Sequence, residues 1–256
     1  MTLKHQYPDQ QIMSYTDYGD SRGHPILVQH GLIASIEDHA LFERLIEQHA
    51  RVICIARPGY GESSPCLMQS FSEWADIVSS LTATLKIDRF DVLGMSSGAP
   101  YSYSLGARLA DRVRNIYIFS GIPALYDEFV RSQWPYPILQ DQSMADLEEL
   151  AHNLFFSNLT EVDRSRPDLK DSMRNNCFGV AQDLRLRFID WGFRVSDVQG
   201  NVCMRHSRTD PEIPFAAAVR TAELLPHCDL ELLESGPHFS REALDDFLLK
   251  TVVKNL

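Results

Sequence analysis

What the chain lacks already excludes several classes of function. No apolar stretch reaches the roughly 20 residues that a membrane-crossing helix needs. The opening residues, MTLKHQYPDQQ, carry no apolar segment of the kind a secretory leader requires. Only five cysteines occur: Cys54, Cys66, Cys177, Cys203 and Cys228. Their number is odd and no two form a C-x-x-C pair, so neither a disulfide framework nor a zinc site is signalled. Cys54 and Cys203 fall inside apolar runs and read as buried thiols. Positive charge is scarce, with 24 Lys and Arg against 35 Asp and Glu and a net charge of −11. That balance argues against a nucleic-acid surface, since phosphates would be repelled. No phosphate loop, dinucleotide fingerprint, metal-ligand spacing, internal repeat or low-complexity tract is present. The expectation is a cytoplasmic protein that acts on a small molecule with no cofactor, metal, membrane or nucleic-acid partner; oligomeric state is left open.

What is present supports a packed α/β domain. Hydrophobic residues make up 44% of the 256 and charged residues 23%, enough for a sizeable core near the upper size of a single domain. QIMSYTDYG alternates and reads as an antiparallel strand near an edge. PILVQHG and RVICIARPGYG are short apolar runs ending in glycine-bearing loops, as buried parallel strands do. Residues 36–49 form a plausible crossover helix. In SFSEWADIVSSLTATLKI, Ser70 and Glu73 have capping-box spacing, and Phe71, Trp74, Val78, Leu81 and Leu85 share a helical face. FDVLG, a helix over 97–110 and NIYIFSG continue the βαβαβ order of a parallel sheet with helices on both faces.

The alternation stops at Ile122. Over 122–200 no strand pattern appears, while MADLEELAHNLFF and VAQDLRLRFIDWGF carry helical spacing. Sheet order resumes with NVCMRH, a helix from about Pro214 to Leu225, DLELLE, and a last helix with Leu244, Phe247, Leu248 and Val252 on one face. The block 122–200 therefore reads as a helical insertion into one core domain made of 1–121 and 201–256.

Gly94-Met95-Ser96-Ser97-Gly98 lies between a strand and a helix and matches G-x-S-x-G. A reactive serine on such a sharp turn needs small neighbours two positions away on each side, so that strand and helix can approach. Ser96 has Gly94 and Gly98; Ser97 would have Met95 and Ala99. Ser96 is therefore the expected nucleophile. Ser97 contributes its backbone N–H, at a helix start, to a developing oxyanion. Pro100 is tolerated there because first-turn N–H groups have no intrahelical partner. A base and an orienting acid must follow. His238, in ESGPHFS, sits after a strand and before the last helix, at the sheet edge where a parallel sheet gathers its functional groups. His152 lies in an amphipathic helix and His227 precedes a strand; His206 is the rival. Asp210 follows a strand in HSRTDPEIP and is the expected acid, while Glu212 is expected to begin the next helix. Asp127 and Glu128 read as a solvated helix start. The Leu32 N–H, after His30-Gly31, is the expected second oxyanion donor, with His30 bracing its loop.

These motifs, in this order, resemble the α/β-hydrolase superfamily. HGLIAS is similar to its oxyanion loop, RPGYGESS to its R-P-G-Y/F-G-x-S turn, GMSSG to its elbow, HSRTDPEIP to its acid loop and SGPHFS to its histidine loop. Ser207 departs from the glycine usual in H-G-x-x-D, and His206 takes the non-catalytic histidine position of that pattern. The resemblance implies a mostly parallel eight-stranded-type sheet, a helical cap at 122–200, and a catalytic set of Ser96, Asp210 and His238. Ser96 disagrees with the aspartate nucleophile of epoxide hydrolases and haloalkane dehalogenases, and HGLIAS disagrees with the HGGPG-type loop of proline iminopeptidases. Carboxylic ester hydrolysis of a small, largely apolar molecule through an acyl-enzyme is the leading expectation. The alternatives are a C–C bond hydrolase, thioesterase or lyase with the same triad, or a ligand receptor of hydrolase fold. Trp134, Tyr136, Phe155, Phe156, Phe178, Phe188, Trp191 and Phe193 divide between pocket lining and cap core, with most expected in the core. RSQWPYPILQ is a candidate cover for the pocket mouth. Arg185 and Arg187 are expected on a solvated helix face rather than at an anionic substrate group.

Overall fold

The apolar runs pair into a single eight-stranded sheet in the computed structural model, which describes residues 1–7 and 10–256. Its strands are β1 (Leu3–Tyr7), β2 (Gln11–Gly19), β3 (Pro25–Gln29), β4 (Arg51–Ile55), β5 (Phe90–Met95), β6 (Val113–Phe119), β7 (Asn201–Ser207) and β8 (Cys228–Leu233), in spatial order 1-2-4-3-5-6-7-8. β2 is antiparallel to both β1 and β4; all other pairs are parallel. β1 was not expected, because LKHQY lacks the apolar alternation that marks a strand. It is an edge strand with one buried residue, His5, so its sequence carries little core signal.

The helices are α1 (Glu43–Glu47), α2 (Glu73–Thr84), α3 (Ala99–Arg108), α4 (Glu128–Ser132), α5 (Met144–Phe155), α6 (Glu161–Ser165), α7 (Pro167–Ser172), α8 (Arg174–Leu186), α9 (Phe215–Leu224) and α10 (Arg241–Phe247). The crossover helix expected over 36–49 is shorter, a 3-10 turn at His39–Phe42 followed by α1. The expected Ser70 cap of α2 does not form. Ser72 precedes the helix, and Glu73 instead accepts from the Gln69 N–H at 2.9 Å. In α5 and α6, Ser143 and Thr160 accept from the N–H of Asp146 and Asp163, whose carboxylates return the bond, so both helices start on reciprocal caps. Asp127 caps α4 through the Val130 N–H and pairs with Arg220.

Five helices, α4 to α8, lie between β6 and β7. Ala151, Phe156, Leu169, Val180 and Leu184 from this segment join Val28, Tyr60, Leu93 and Met95 in one apolar cluster. Leu186, Trp191, Phe193, Val195 and Val198 pack instead with Phe71, Trp74 and Tyr101 on the other face. Cys54 is buried as expected; Cys203 is only half-buried, and all five thiols are free.

The register aligns the carboxyl ends of the central strands. Gln29 pairs with Gly94, Met95 with Phe119, and Phe119 with Arg205. The loops that follow β3, β5, β7 and β8 consequently meet at one edge of the sheet.

Candidate active site

At that edge the turn after β5 is strained where the sequence says it must be. Ser96 has φ of 48°, a left-handed conformation rare for a residue with a Cβ. The flanking glycines make the turn sterically feasible. A Cβ on Gly98 would lie 2.0 Å from the Gln29 carbonyl oxygen, and one on Gly94 would lie 2.3 Å from Ser102 Oγ.

The structure brings Ser96, His238 and Asp210 into one hydrogen-bonded chain. His238 Nε2 is 2.8 Å from Ser96 Oγ, and Nδ1 is 2.8 Å from Asp210 Oδ2. A carboxylate only accepts, so Nδ1–H donates to Asp210 and the Ser96 hydroxyl donates to Nε2. Asp210 Oδ1 accepts from the N–H groups of Glu212 and Ile213 at 2.8 and 3.0 Å. Burial alone would raise this carboxyl's pKa, but the bonds from His238, Ile213 and Glu212 hold it below the usual aspartate value. His206 donates from Nε2 to the Ile213 carbonyl at 2.9 Å and lies beside Asp210 without touching Ser96. Burial lowers its pKa. Ser207 donates to the Gly236 carbonyl at 2.9 Å and so ties the acid loop to the histidine loop.

Leu32 and Ser97 flank the same point. A Cβ built on Gly31 would lie 3.8 Å from that of Ser96, which places the 30–32 loop against the elbow. Arg57 and Tyr60 orient this loop. Arg57 donates to the His30 and Gly31 carbonyls at 2.6 and 2.9 Å, and the Tyr60 hydroxyl is 2.9 Å from the Leu32 carbonyl. With its carbonyls held on that side, the loop presents its N–H groups to the other. The Leu32 N–H has no hydrogen-bond acceptor among the described residues. His30 donates from Nδ1 to Gly31 O and accepts the Arg57 N–H at Nε2. Full burial, with Arg57 alongside, keeps its pKa well below the usual histidine value.

The sequence reading missed the group that anchors this loop. Asp183, on α8, pairs with Arg57 and also receives the Tyr101 hydroxyl at 2.6 Å, with the Tyr60 hydroxyl 3.0 Å away. Arg57 also lies over the Tyr101 ring, 4.6 Å from its centroid. Burial works against the Arg57 charge, yet Asp183 and the two tyrosines hold its pKa above the ordinary arginine value.

Three expectations need correction. Glu212 does not begin α9, which starts at Phe215; it lies in the loop with its carboxylate 3.9 Å from His238 Nε2. Its N–H is spent on Asp210, and that bond fixes it in the turn. Arg187 is not on a solvated face. It is 8% exposed and donates from Nη2 to Ser97 Oγ at 2.6 Å. Arg185 is half-buried and donates to the Met68 carbonyl at 2.8 Å. Both arginines turn inward because the end of α8 lies against the Met68 loop and the Ser96–Ser97 turn.

Two chambers meet at Ser96. One, about 610 Å³, extends past Gly31, Leu41, Met95, Phe119 and Phe239. The other, about 550 Å³, lies under Trp134, Tyr136, Leu139, Phe155 and Phe188. Leu32, Ser96, Phe155, Glu212 and His238 line both. Phe156, Trp191 and Phe193 are core residues instead, and Phe178 packs at Gly59. No cluster of residues able to hold a metal ion occurs among the described residues, and no helix is long and apolar enough to cross a membrane.

The family described as alpha/beta hydrolase fold matches residues 24–240. An uncharacterized hydrolase of Bacillus subtilis, YcgS, is 29% identical over 101 residues, 40% of this chain and 36% of that protein. The chain thus spans little over a third of that relative. A 2-hydroxy-6-oxo-2,4-heptadienoate hydrolase of Pseudomonas putida is 19% identical over 230 residues, 85% of this chain and 83% of that one. Among solved structures, an esterase from Exiguobacterium antarcticum superposes with a TM-score of 0.76 at 20% identity, covering 99% of this chain and 100% of that one.

Proposed function

The chain belongs to the alpha/beta hydrolase family, and from that premise we propose that it is a serine hydrolase cleaving a carboxylic ester of a small, largely apolar molecule through an acyl-enzyme. The observation that carries this reading is the continuous relay from Ser96 through His238 to Asp210, both links at 2.8 Å. His238 takes the Ser96 proton as the oxygen attacks the carbonyl carbon. Asp210 holds the imidazole in the required tautomer and favours the imidazolium that forms. The Leu32 and Ser97 N–H groups receive the developing oxyanion, and their positions are set in advance by Arg57, Tyr60 and the helix start. His238 then protonates the leaving alcohol, and water repeats the cycle on the acyl-enzyme. The helical segment 122–200 serves as a cap that covers Ser96 and excludes bulk water. The two chambers give the acyl and leaving-group halves of the substrate separate places, with the scissile bond at their junction.

The test is turnover of p-nitrophenyl butyrate together with labelling by a neutral fluorophosphonate. Ser96→Ala is expected to lose on the order of 10⁴-fold or more in kcat and all labelling. Retained turnover in Ser96→Ala, or loss seen only in Ser97→Ala, would overturn the assignment. Hydrolysis of a carbon–carbon bond is a second reading, supported by the similarity to the Pseudomonas putida hydrolase over most of both chains. In that case a vinylogous diketone turns over faster than any ester on the same serine.

A further inference from the structure

The chamber under Trp134 is lined mainly by apolar side chains, besides Ser96, Tyr136, Arg187, Glu212 and His238. There Arg187 is buried, and only Nη2 has a partner, the Ser97 hydroxyl. Its Nε–H is buried with no acceptor among the described residues, as is the Trp134 indole N–H. Both side chains line this chamber. No carboxylate lies within ion-pair distance of Arg187 among the described residues; Asp183, one turn earlier on α8, is engaged by Arg57, Tyr60 and Tyr101. Arg57 and Arg187 against Asp183, with His30 neutral, leave this buried group one positive charge in excess. Such a charge is costly to bury without a partner, and burial accordingly draws the Arg187 pKa down, with Asp183 offsetting only part. The chamber's one carboxylate, Glu212, has a 61% exposed side chain and sits at His238.

We propose that Arg187 is an anion-recognition point in the wall of this chamber, and that the substrates are esters whose half in this chamber bears a single carboxylate. The proposal rests on the serine-hydrolase reading for the position of the scissile carbonyl. A carboxylate in the chamber supplies the countercharge that Arg187 lacks; a neutral alkyl chain or a neutral carbonyl does not.

Binding and turnover test this separately. In Ser96→Ala, calorimetry should find pentanoate bound at least tenfold more tightly than pentanamide. Arg187→Gln in that background should abolish the difference, and Arg187→Lys should restore part of it. In the otherwise unaltered enzyme, p-nitrophenyl hydrogen glutarate should exceed p-nitrophenyl pentanoate in kcat/KM by more than tenfold, mainly through KM, and Arg187→Gln should collapse that ratio. Pentanamide binding as tightly as pentanoate, no binding of either, or a preference that survives Arg187→Gln overturns the proposal. So does an Arg187→Gln variant that slows both esters equally, the signature of a residue that only braces Ser97. Failure of the serine-hydrolase reading looks different: neither ester turns over and the fluorophosphonate does not label, while the pentanoate preference stays.

Discussion

Replacing Asp183 with asparagine should cost more than the removal of one charge suggests. The carboxylate accepts on both oxygens, Oδ1 from Arg57 Nε at 3.2 Å and Tyr101 at 2.6 Å, Oδ2 from Arg57 Nη2 with Tyr60 3.0 Å away. An asparagine NH₂ must face one of these pairs, whichever way the amide is turned. A tyrosine hydroxyl can rotate to accept, but a guanidinium cannot. Arg57 is fully buried, so the result is an unpaired buried cation with a donor against a donor. Breaking a buried pair in this way costs about 3–5 kcal/mol. For a chain of this size that is a fall in Tm of roughly 6–20 °C. The same change should slow catalysis, because Arg57 also holds the His30 and Gly31 carbonyls that orient the Leu32 N–H. Loss of one oxyanion donor costs up to about 10³-fold in kcat, so a drop of at least tenfold, in kcat rather than KM, is expected. Urea denaturation followed by circular dichroism supplies the stability, and ester turnover supplies the rate. Glu47→Gln is the control: its pair with Arg44 is 50% and 43% exposed at the side chains and should be worth at most about 1 kcal/mol. If Asp183→Asn is within 1 kcal/mol of the parent protein, the loop is not anchored through this pair and the argument fails.

Other outcomes follow from single contacts and titrations. Gly98→Ala places a methyl carbon 2.0 Å from the Gln29 carbonyl oxygen, so it should abolish fluorophosphonate labelling and destabilise the fold by roughly 1–3 kcal/mol or more; wild-type labelling would show that the elbow has room to spare. Acid should weaken the fold from about pH 6.5 downward, because burial lowers the pKa values of His30 and His206. The unfolded chain then binds protons that the folded chain refuses, so stability rises with pH across this window, by up to about 1.4 kcal/mol per pH unit for each histidine. Unfolding midpoints at pH 7.5, 6.5 and 5.5 should show the slope, and His206→Gln should flatten it; a fold as stable at pH 5.5 as at 7.5 would contradict the burial argument. Asp210, held below its usual pKa, adds stability that is lost at still lower pH, so Asp210→Asn should have a shallower acid limb.

The relay residues were legible because each carries its reason in a few neighbouring positions. Gly94 and Gly98 set Ser96 apart from Ser97, and a strand end followed by Asp-Pro or by Gly-Pro-His places Asp210 and His238. The sheet was legible as apolar runs, apart from β1, whose single buried residue leaves no pattern. What escaped was non-local. Asp183 and Arg57 are 126 positions apart, and no spacing rule connects them. Arg187 was misread because its type was given more weight than its register. Val180 and Leu184 on α8 and Arg187, the residue that ends it, follow i, i+4, i+7, and the first two are buried, so helical periodicity alone placed Arg187 on the inward face. Ser70 and Glu73 had capping spacing, but the chain continues as a turn to Ser72, and Glu73 found a nearer N–H at Gln69.

The attachment of α8 bears on which side of the chamber can change. Asp183 is bonded to Arg57, Gln182 accepts from the Met68 N–H at 2.7 Å, Arg185 donates to the Met68 carbonyl, and Arg187 reaches Ser97. Lifting this helix would break all four attachments at once, whereas Tyr136, Leu139 and Leu154 line the chamber from a segment that is held by packing and by the bond from Asn176 to Glu148. The chamber therefore has a fixed side, the end of α8, and an outer side, residues 133–155, where Tyr136 and Leu154 are exposed. Residues on the outer side can change, and with them the size and shape of the chamber, without moving the serine or its relay. Selection can thus retune the diet of this protein through one stretch of chain while the chemistry stays in place.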